Sequence, residues 1–282
     1  MHPRLFTVPA FDLFGSSHGP YSLHTYGVLL AVAFLLALWL ASVRARQAGL
    51  DAQRVTDLGV WALLAGLAGA KLLLLAVDWR YYSSNPRELL SIFQSGGVFY
   101  GGLVAGSIAA VIYLRRHALP GWLTADVLAP AVLLGQAVGR LGCLAAGCCW
   151  GRATQLPWAV TYTDIYANRQ VGTPMDVALH PTQIYESILA SLLLVFLLWL
   201  TPRKRFHGQV LVTYVALYST LRFGLEYFRG DAARGTLFGG VLSTSQFIAL
   251  VLLAAVAFLT PYLFRTQRVS AATAPAAPTT EA

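Results

Sequence analysis

Tyr218, Arg222 and Glu226 stand at i, i+4 and i+8 in an otherwise apolar run, with Arg229 about one turn further on. Helical spacing of that kind places the side chains on one face. Charges inside so apolar a stretch are costly unless they are paired or belong to a site. Two readings follow. An arginine and a glutamate can neutralise each other while reaching toward the headgroup level. Alternatively, the guanidinium presents a fork of donors that fits phosphate oxygens, and the face is an anion site. A second arginine lies in Gly139-Arg140-Leu141-Gly142-Cys143. The flanking glycines predict close backbone approach and free N–H groups for an anion. The plainer alternative is an arginine that closes a span, with glycines for helix packing. Two arginines meeting near the outer headgroup level would suit a phospholipid phosphate.

Three further groups have chemical potential. Tyr100 sits between glycine pairs in Gly96-Gly97-Val98-Phe99-Tyr100-Gly101-Gly102, a pattern that predicts a kinked or unwound helix start. Such backbone is tolerated at membrane depth only where protein or water satisfies it. Tyr100 is then either an interfacial aromatic or a functional hydroxyl. The run His180-Pro181-Thr182-Gln183-Ile184-Tyr185-Glu186 reads as a helix start, with proline at the first helical position. There His180 is either a cap or a proton carrier near neutral pH, and Gln183 and Glu186 share a face. The three cysteines are Cys143, Cys148 and Cys149, an odd number that excludes a full disulfide framework. Cys143 and Cys148 read as small packing residues, as a pair, or as metal ligands together with another residue. No paired CxxC spacing supports zinc. No P-loop is present, and neither a metal nor any other cofactor is expected.

The elements that carry these residues are apolar spans. The 282 residues are 57% hydrophobic and only 11% charged, with mean hydropathy +0.61. A soluble domain of this size carries about 25% charged residues, so lipid must be the solvent. Seven segments of suitable length fall at roughly 22–42, 56–78, 96–114, 122–139, 182–200, 208–227 and 244–264. The expected fold is an all-α integral membrane bundle of seven transmembrane helices. Residues 1–21 form an N-terminal arm, 140–181 a small polar cap, and 265–282 a tail whose Ala/Pro/Thr-rich end is disordered. Pro3, Pro9, Asp12, Gly15 and Pro20 interrupt the first 20 residues, so the first span is expected to act as its own targeting signal.

The net charge of +8 reports topology and anionic lipid rather than nucleic acid. Arg44, Arg46, Arg54, Arg115, Arg116, Arg203, Lys204, Arg205, Arg265 and Arg268 all flank one side, facing few acids. On the positive-inside rule that side is cytoplasmic, and the N-terminus and the 140–181 connector are extracytoplasmic. Lys71, Arg140, His180, Glu186, Arg222 and Glu226 then gather toward the outer half of the bilayer.

Taken in order, the motifs resemble the prolipoprotein diacylglyceryl transferase family along nearly the whole chain, from Tyr26 to Arg229. Tyr26-Gly27, the glycine-flanked Val98-Phe99-Tyr100, Gly139-Arg140-Leu141-Gly142 running to Trp150-Gly151, His180 to Glu186, and Arg222 with Glu226-Tyr227-Phe228-Arg229 each match a family motif. The resemblance implies seven spans in the bacterial inner membrane and a periplasmic cap. It implies phosphatidylglycerol as donor and the lipobox cysteine of a preprolipoprotein as acceptor. The products would be a thioether-linked diacylglyceryl group and glycerol 1-phosphate. Carried across residue by residue, Arg140 and Arg222 hold the lipid phosphate, and Tyr26, Gln183, Tyr218, His180 and Glu226 support the site. Three positions depart from the pattern: Cys143 often stands as asparagine in the family, Cys148 as an acid, and Tyr100 as a histidine proposed as the base. Tyr100 or His180 is then the expected proton acceptor, with Tyr100 favoured by its place in the motif. Two other classes compete, a lipid or anion transporter and a non-catalytic phospholipid-binding homologue. Against the transporter, no internal repeat is visible and the charges lie near one face rather than the midplane.

Overall fold

The computed structural model describes residues 3–9, 11–13, 16–18, 21–85, 97–230, 235–237 and 240–269. Gly96, Glu88, Asp231 and the stretch from Ser270 to Ala282 lie outside the described residues. The long helices are α1 (Thr25–Gln47), α2 (Ala52–Val77), α4 (Phe99–Arg116), α5 (Gly121–Ala146), α7 (Thr182–Leu200), α8 (Gln209–Leu225) and α9 (Thr244–Thr266). Two short ones, α3 (Trp79–Ser84) and α6 (Ile165–Val171), lie between them. Among the described residues, Thr25–Gln47, Ala52–Val77, Gly121–Ala146, Thr182–Arg203 and Thr244–Thr266 are long and apolar enough to cross a membrane. The other two expected segments are shorter helices, α4 with 18 residues and α8 with 17.

The chain divides into two compact units. One comprises Leu38–Val127; the other joins Met1–Ala37 to Leu128–Ala282. In the first unit, α2 begins at Asp51, whose Oδ1 accepts from the backbone N–H of Gln53 at 2.9 Å and of Arg54 at 3.3 Å. Helices α2 and α4 pack through small residues. A Cβ on Gly101 would lie 2.4 Å from the Gly69 carbonyl oxygen, and one on Gly102 would lie 3.0 Å from that of Gly66. In lipid this close backbone approach replaces the missing hydrophobic drive as the source of helix association. Among the described residues, Gly97 and Val98 precede the helix in non-helical backbone, and the Val98 N–H donates to the Ala70 carbonyl at 3.0 Å. Gly101 and Gly102 are helical.

In the second unit, α5, α7 and α8 share a core of Ala129, Leu133, Ala137, Ala190, Leu193, Leu197 and Val210. On α5 and α7 these recur at helical spacing, so one face of each is buried, and α8 adds Val210 with the partly buried Tyr214, Tyr218 and Leu221. The N-terminal arm pairs β1 (Arg4–Val8) antiparallel with β4 (Tyr21–His24), and β2 (Phe11–Leu13) with β3 (Ser16–His18). Period-2 pairing of this kind was not expected from the sequence. Behind α5, the chain from Gly147 to His180 carries α6 and the pair β5 (Val160–Thr161) and β6 (Ala178–Leu179). Asp164 caps α6 through its Oδ1, which accepts from Tyr166 N at 2.8 Å. Near the C-terminus, β7 (Thr236–Leu237) pairs with β8 (Leu242–Ser243), and Ser243 closes a capping box with Gln246 at the start of α9. Beyond α9, Val269 N donates to the Arg205 carbonyl at 3.0 Å.

One boundary corrects the sequence reading. The fourth span was expected to end at residue 139, leaving Arg140 in a loop with free N–H groups. Instead α5 runs on to Ala146, so the amides of Gly139 and Gly142 lie within helical turns. What stops the helix is Gly147, at φ +79°, a left-handed conformation that glycine adopts without penalty.

Candidate active site

Along the faces that form the core of the second unit, aliphatic residues give way to polar ones toward one end. On α5 the polar positions are Gln136 and Arg140; on α7, Gln183 and Glu186; on α8, Tyr214, Tyr218 and Arg222. Their hub is Glu186, which is 2% exposed. Its Oε1 lies 2.7 Å from Arg140 Nη2, accepts from the Tyr218 hydroxyl at 2.8 Å, and accepts from Gln136 Nε2 at 3.2 Å. Gln136 Nε2 also donates to the Tyr218 hydroxyl. A carboxylate so enclosed satisfies the rule that buried charges are paired and hydrogen-bonded. Arg140 spends one nitrogen on this contact. Among the described residues its Nε and Nη1 donate to no protein group, and its side chain is 20% exposed.

Arg222 is held separately. Its Nη1 lies 2.8 Å from Glu226 Oε2 and its Nη2 donates to Ser245 Oγ of α9 at 3.2 Å. The plainer reading of this face, an internal Arg–Glu pair, is therefore what the structure holds. Tyr218 stands one turn, about 6 Å of rise, before Arg222 on α8. It links the second arginine to the Glu186 hub through the helix itself.

The remaining expected residues divide. Tyr26 packs against α5 at Gly142, where an added Cβ would come within 3.3 Å of its ring. Gln183 is 1% exposed and turns away from Glu186. Its Nε2 donates to the Cys148 carbonyl at 2.6 Å and to the Tyr162 hydroxyl at 3.1 Å. Burial pushes that tyrosine hydroxyl up from its ordinary range. His180 does not cap α7. Pro181 takes the cap position with no side-chain hydrogen bond, and it is the His180 backbone carbonyl that accepts from Thr182 N at 2.9 Å. The ring instead meets the Tyr185 hydroxyl at 3.1 Å through Nδ1 and packs edge-on against Phe228 at 5.3 Å. Tyr100 belongs to the other unit, where it is half-exposed and packs edge-on against Phe99.

The Trp150-Gly151 motif is a crossing point. Gly151 N donates to the His180 carbonyl at 3.0 Å, and Arg152 N to the Phe228 carbonyl at 2.8 Å. A Cβ on Gly151 would meet His180 Cβ at 2.5 Å and the Phe228 carbonyl oxygen at 2.7 Å. Only glycine lets the three segments approach so closely, and the crossing fixes His180 beside the end of α8.

Cys143 and Cys148, expected to be packing residues, a pair, or metal ligands together with another residue, come together with Cys149 as a cluster with all sulfurs within 4.8 Å of one another. Hydrogen bonds from the neighbouring thiols and from Arg229 hold the Cys149 thiol well below its ordinary range, against the opposing effect of burial.

Two residues of the hub were missed in the sequence. Gln136 is a polar side chain one turn before Arg140 in an apolar span, and Tyr214 extends the Tyr218–Arg222 spacing by one turn; its hydroxyl donates to Gln136 Oε1 at 3.5 Å. Both signals were visible as spacing.

Comparison with known proteins places this chain in a family. A family model described as prolipoprotein diacylglyceryl transferase matches residues 14–262. A phosphatidylglycerol–prolipoprotein diacylglyceryl transferase of Clostridium tetani (strain Massachusetts / E88) is 35% identical over 240 residues, covering 85% of this chain and 91% of that protein. One from Methylibium petroleiphilum is 37% identical over 258 residues, covering 88% and 94%. One from Synechococcus elongatus is 33% identical over 244 residues, covering 84% and 82%. By both the family model and these relatives, the chain belongs to the prolipoprotein diacylglyceryl transferase family.

Proposed function

We infer that the protein transfers the diacylglyceryl group of phosphatidylglycerol to the lipobox cysteine thiol of preprolipoproteins, the first step of bacterial lipoprotein maturation. The observation that carries the site assignment is the state of Arg140: one nitrogen fixed by a buried carboxylate at 2.7 Å, the others donating to no protein group among the described residues, the group partly accessible. A guanidinium has five donors, so an entering phosphate need not displace Glu186.

In the reaction, the sulfur of the acceptor attacks the glyceryl carbon. The C–S bond forms as the ester C–O bond breaks, glycerol 1-phosphate leaves with the bonding pair, and the thiol proton passes to a base. The phosphodiester carries one negative charge and the departing phosphomonoester gains a second. A fixed guanidinium in a low-dielectric site therefore attracts the phosphate more strongly as the reaction proceeds, which is the requirement for catalysis. Arg140 and Arg222 fill that role. Tyr218, Gln136 and Glu226 orient them, Gln183 and Tyr26 shape the surroundings, and Tyr100 and His180 are the two proton acceptors to be separated. We place seven helices across the bacterial inner membrane, with the N-terminus and the 147–181 segment on the periplasmic side and the C-terminus in the cytoplasm. The arginine-rich ends of α1 and α4 support that orientation.

The test is transfer of labelled lipid from phosphatidylglycerol micelles to a lipobox peptide by the purified protein. Arg140→Ala and Arg222→Ala are expected to lose at least a hundredfold in turnover, as removal of a fixed oxyanion donor does elsewhere. Full turnover by either variant removes that arginine from the mechanism.

A further inference from the structure

We propose that Cys143, Cys148 and Cys149 form a three-thiolate site for a soft d10 cation, with zinc(II) as the probe. Their sulfurs already lie within 4.8 Å of one another. Zinc–sulfur bonds of about 2.3 Å in tetrahedral geometry set sulfurs about 3.8 Å apart, so closing on an ion asks each thiol to move by less than about 1 Å.

The backbone holds the cluster in place. Cys143 sits in the last turns of α5, and the left-handed Gly147 then folds the chain back so that Cys148 N donates to the Cys143 carbonyl at 3.2 Å. Three successive carbonyls are clamped from outside: Gly147 by Thr173 Oγ1 at 2.8 Å, Cys148 by Gln183 Nε2 at 2.6 Å, and Cys149 by Thr182 Oγ1 at 2.7 Å. Thr173, Gln183 and Thr182 are each buried. Cys149 itself is at φ +66°, a conformation costing a non-glycine residue on the order of 1 kcal/mol and kept only where the surroundings dictate it. Ligands locked by a second layer of contacts are what a metal site requires.

The donor set selects the ion. Thiolates favour zinc and copper(I) over magnesium or calcium, which take oxygen. Binding zinc displaces to solvent the protons that the thiols still carry and transfers no electrons, leaving a Zn(SR)3 unit of charge −1. The Arg229 guanidinium, 7% exposed and hydrogen-bonded to Cys149, supplies the counter-charge. Among the described residues no fourth histidine, cysteine or carboxylate joins the group.

The experiment uses full-length protein in detergent, reduced and then exposed to zinc(II) or cadmium(II). We expect one ion retained per chain, a thiolate-to-cadmium charge-transfer band, and at least tenfold slower alkylation of all three thiols by iodoacetamide in the presence of zinc. Cys148→Ser is expected to weaken zinc binding at least tenfold while leaving the metal-free melting temperature within a few degrees. If that variant does not fold, the wild-type alkylation rates decide. Reduced wild-type protein that retains no zinc and is alkylated equally fast with and without it overturns the proposal. So does a disulfide among the three whose reduction fails to restore zinc uptake.

Discussion

Replacing Glu186 separates the position of Arg140 from its charge. Glu186→Gln keeps an acceptor oxygen in the same place but removes the negative charge that receives Arg140 at 2.7 Å and Tyr218 at 2.8 Å. Hydrogen bonds involving a charged partner contribute about 1.5–3 kcal/mol, and neutral ones about 0.5–1.5 kcal/mol. Two such bonds therefore lose about 2 kcal/mol together. Against this, an arginine freed from its carboxylate attracts phosphate more strongly in the ground state. Positioning is expected to win, because a guanidinium that has to reorganise during the reaction forfeits the advantage of being fixed beforehand. If the 2 kcal/mol appears in the barrier, turnover falls about 30-fold, while KM for phosphatidylglycerol is unchanged or lower. Glu186→Ala removes acceptor and charge alike, leaves Arg140 as an uncompensated buried cation, and is expected to cost about 3–5 kcal/mol of stability as well as more than a hundredfold in turnover. Initial rates with labelled lipid and lipobox peptide, run beside thermal melting, distinguish the two effects. A Glu186→Ala enzyme that turns over normally would refute the claim that this carboxylate positions Arg140.

Gly151→Ala is expected to destabilise the crossing of segments 150–152, 178–180 and 228–230 by about 1–3 kcal/mol, since its Cβ would overlap His180 and the Phe228 carbonyl. Gly139→Ala meets nothing within 4 Å and should leave the melting temperature unchanged or slightly raised, although it borders the central arginine. Tyr218→Phe removes one donor to Glu186 and should slow turnover about fivefold, corresponding to about 1 kcal/mol, with little change in melting temperature. Tyr100→Phe and His180→Gln, compared by pH–rate profile, identify the proton acceptor: a base works only when deprotonated, so the variant that abolishes the rise of rate with pH names it, and full activity in both sends the search elsewhere.

Much of this architecture was legible in the chain. Apolar runs of spanning length need only composition to be seen, and each corresponds to a helix. The residues of the candidate site were conspicuous because a membrane makes every buried charge stand out: Arg140, Glu186, Arg222 and Glu226 were visible as misfits before any geometry was known. Their partnerships were not. Spacing brought Arg222 to Glu226 because the glutamate follows the arginine by four residues at the end of α8, whereas the Arg140–Glu186 pair joins residues 46 apart in sequence on two different helices, which periodicity does not encode. The end of α5 was misplaced for a related reason. Glycines beside Arg140 looked like a break, yet Gly142 serves to admit the Tyr26 ring, and the true stop is a left-handed glycine one turn after the cysteine. Gln136 was overlooked because a neutral amide in a span raises less suspicion than a charge.

On the proposed function, the two ion pairs account for how an anion site is held at membrane depth before the anion arrives. A bare guanidinium in hydrocarbon costs several kcal/mol, and two would threaten the packing of α5, α7 and α8. Each arginine here brings its own carboxylate, Glu186 or Glu226, so the two pairs carry no net charge. Neutrality alone would leave no reason for phosphate to enter. The difference lies in donor count: a carboxylate engages one nitrogen of Arg140, and the remaining N–H groups still seek oxygen. The same carboxylates temper ground-state binding of a singly charged diester, so attraction grows chiefly as the second charge develops on the leaving phosphate. An Arg140→Lys enzyme keeps the charge but can bond Glu186 or the phosphate only as a compact point donor. It should fold and bind lipid, yet turn over at least tenfold slower than the wild type, and retention of full rate would mean that charge alone, without the guanidinium's fork, drives the reaction.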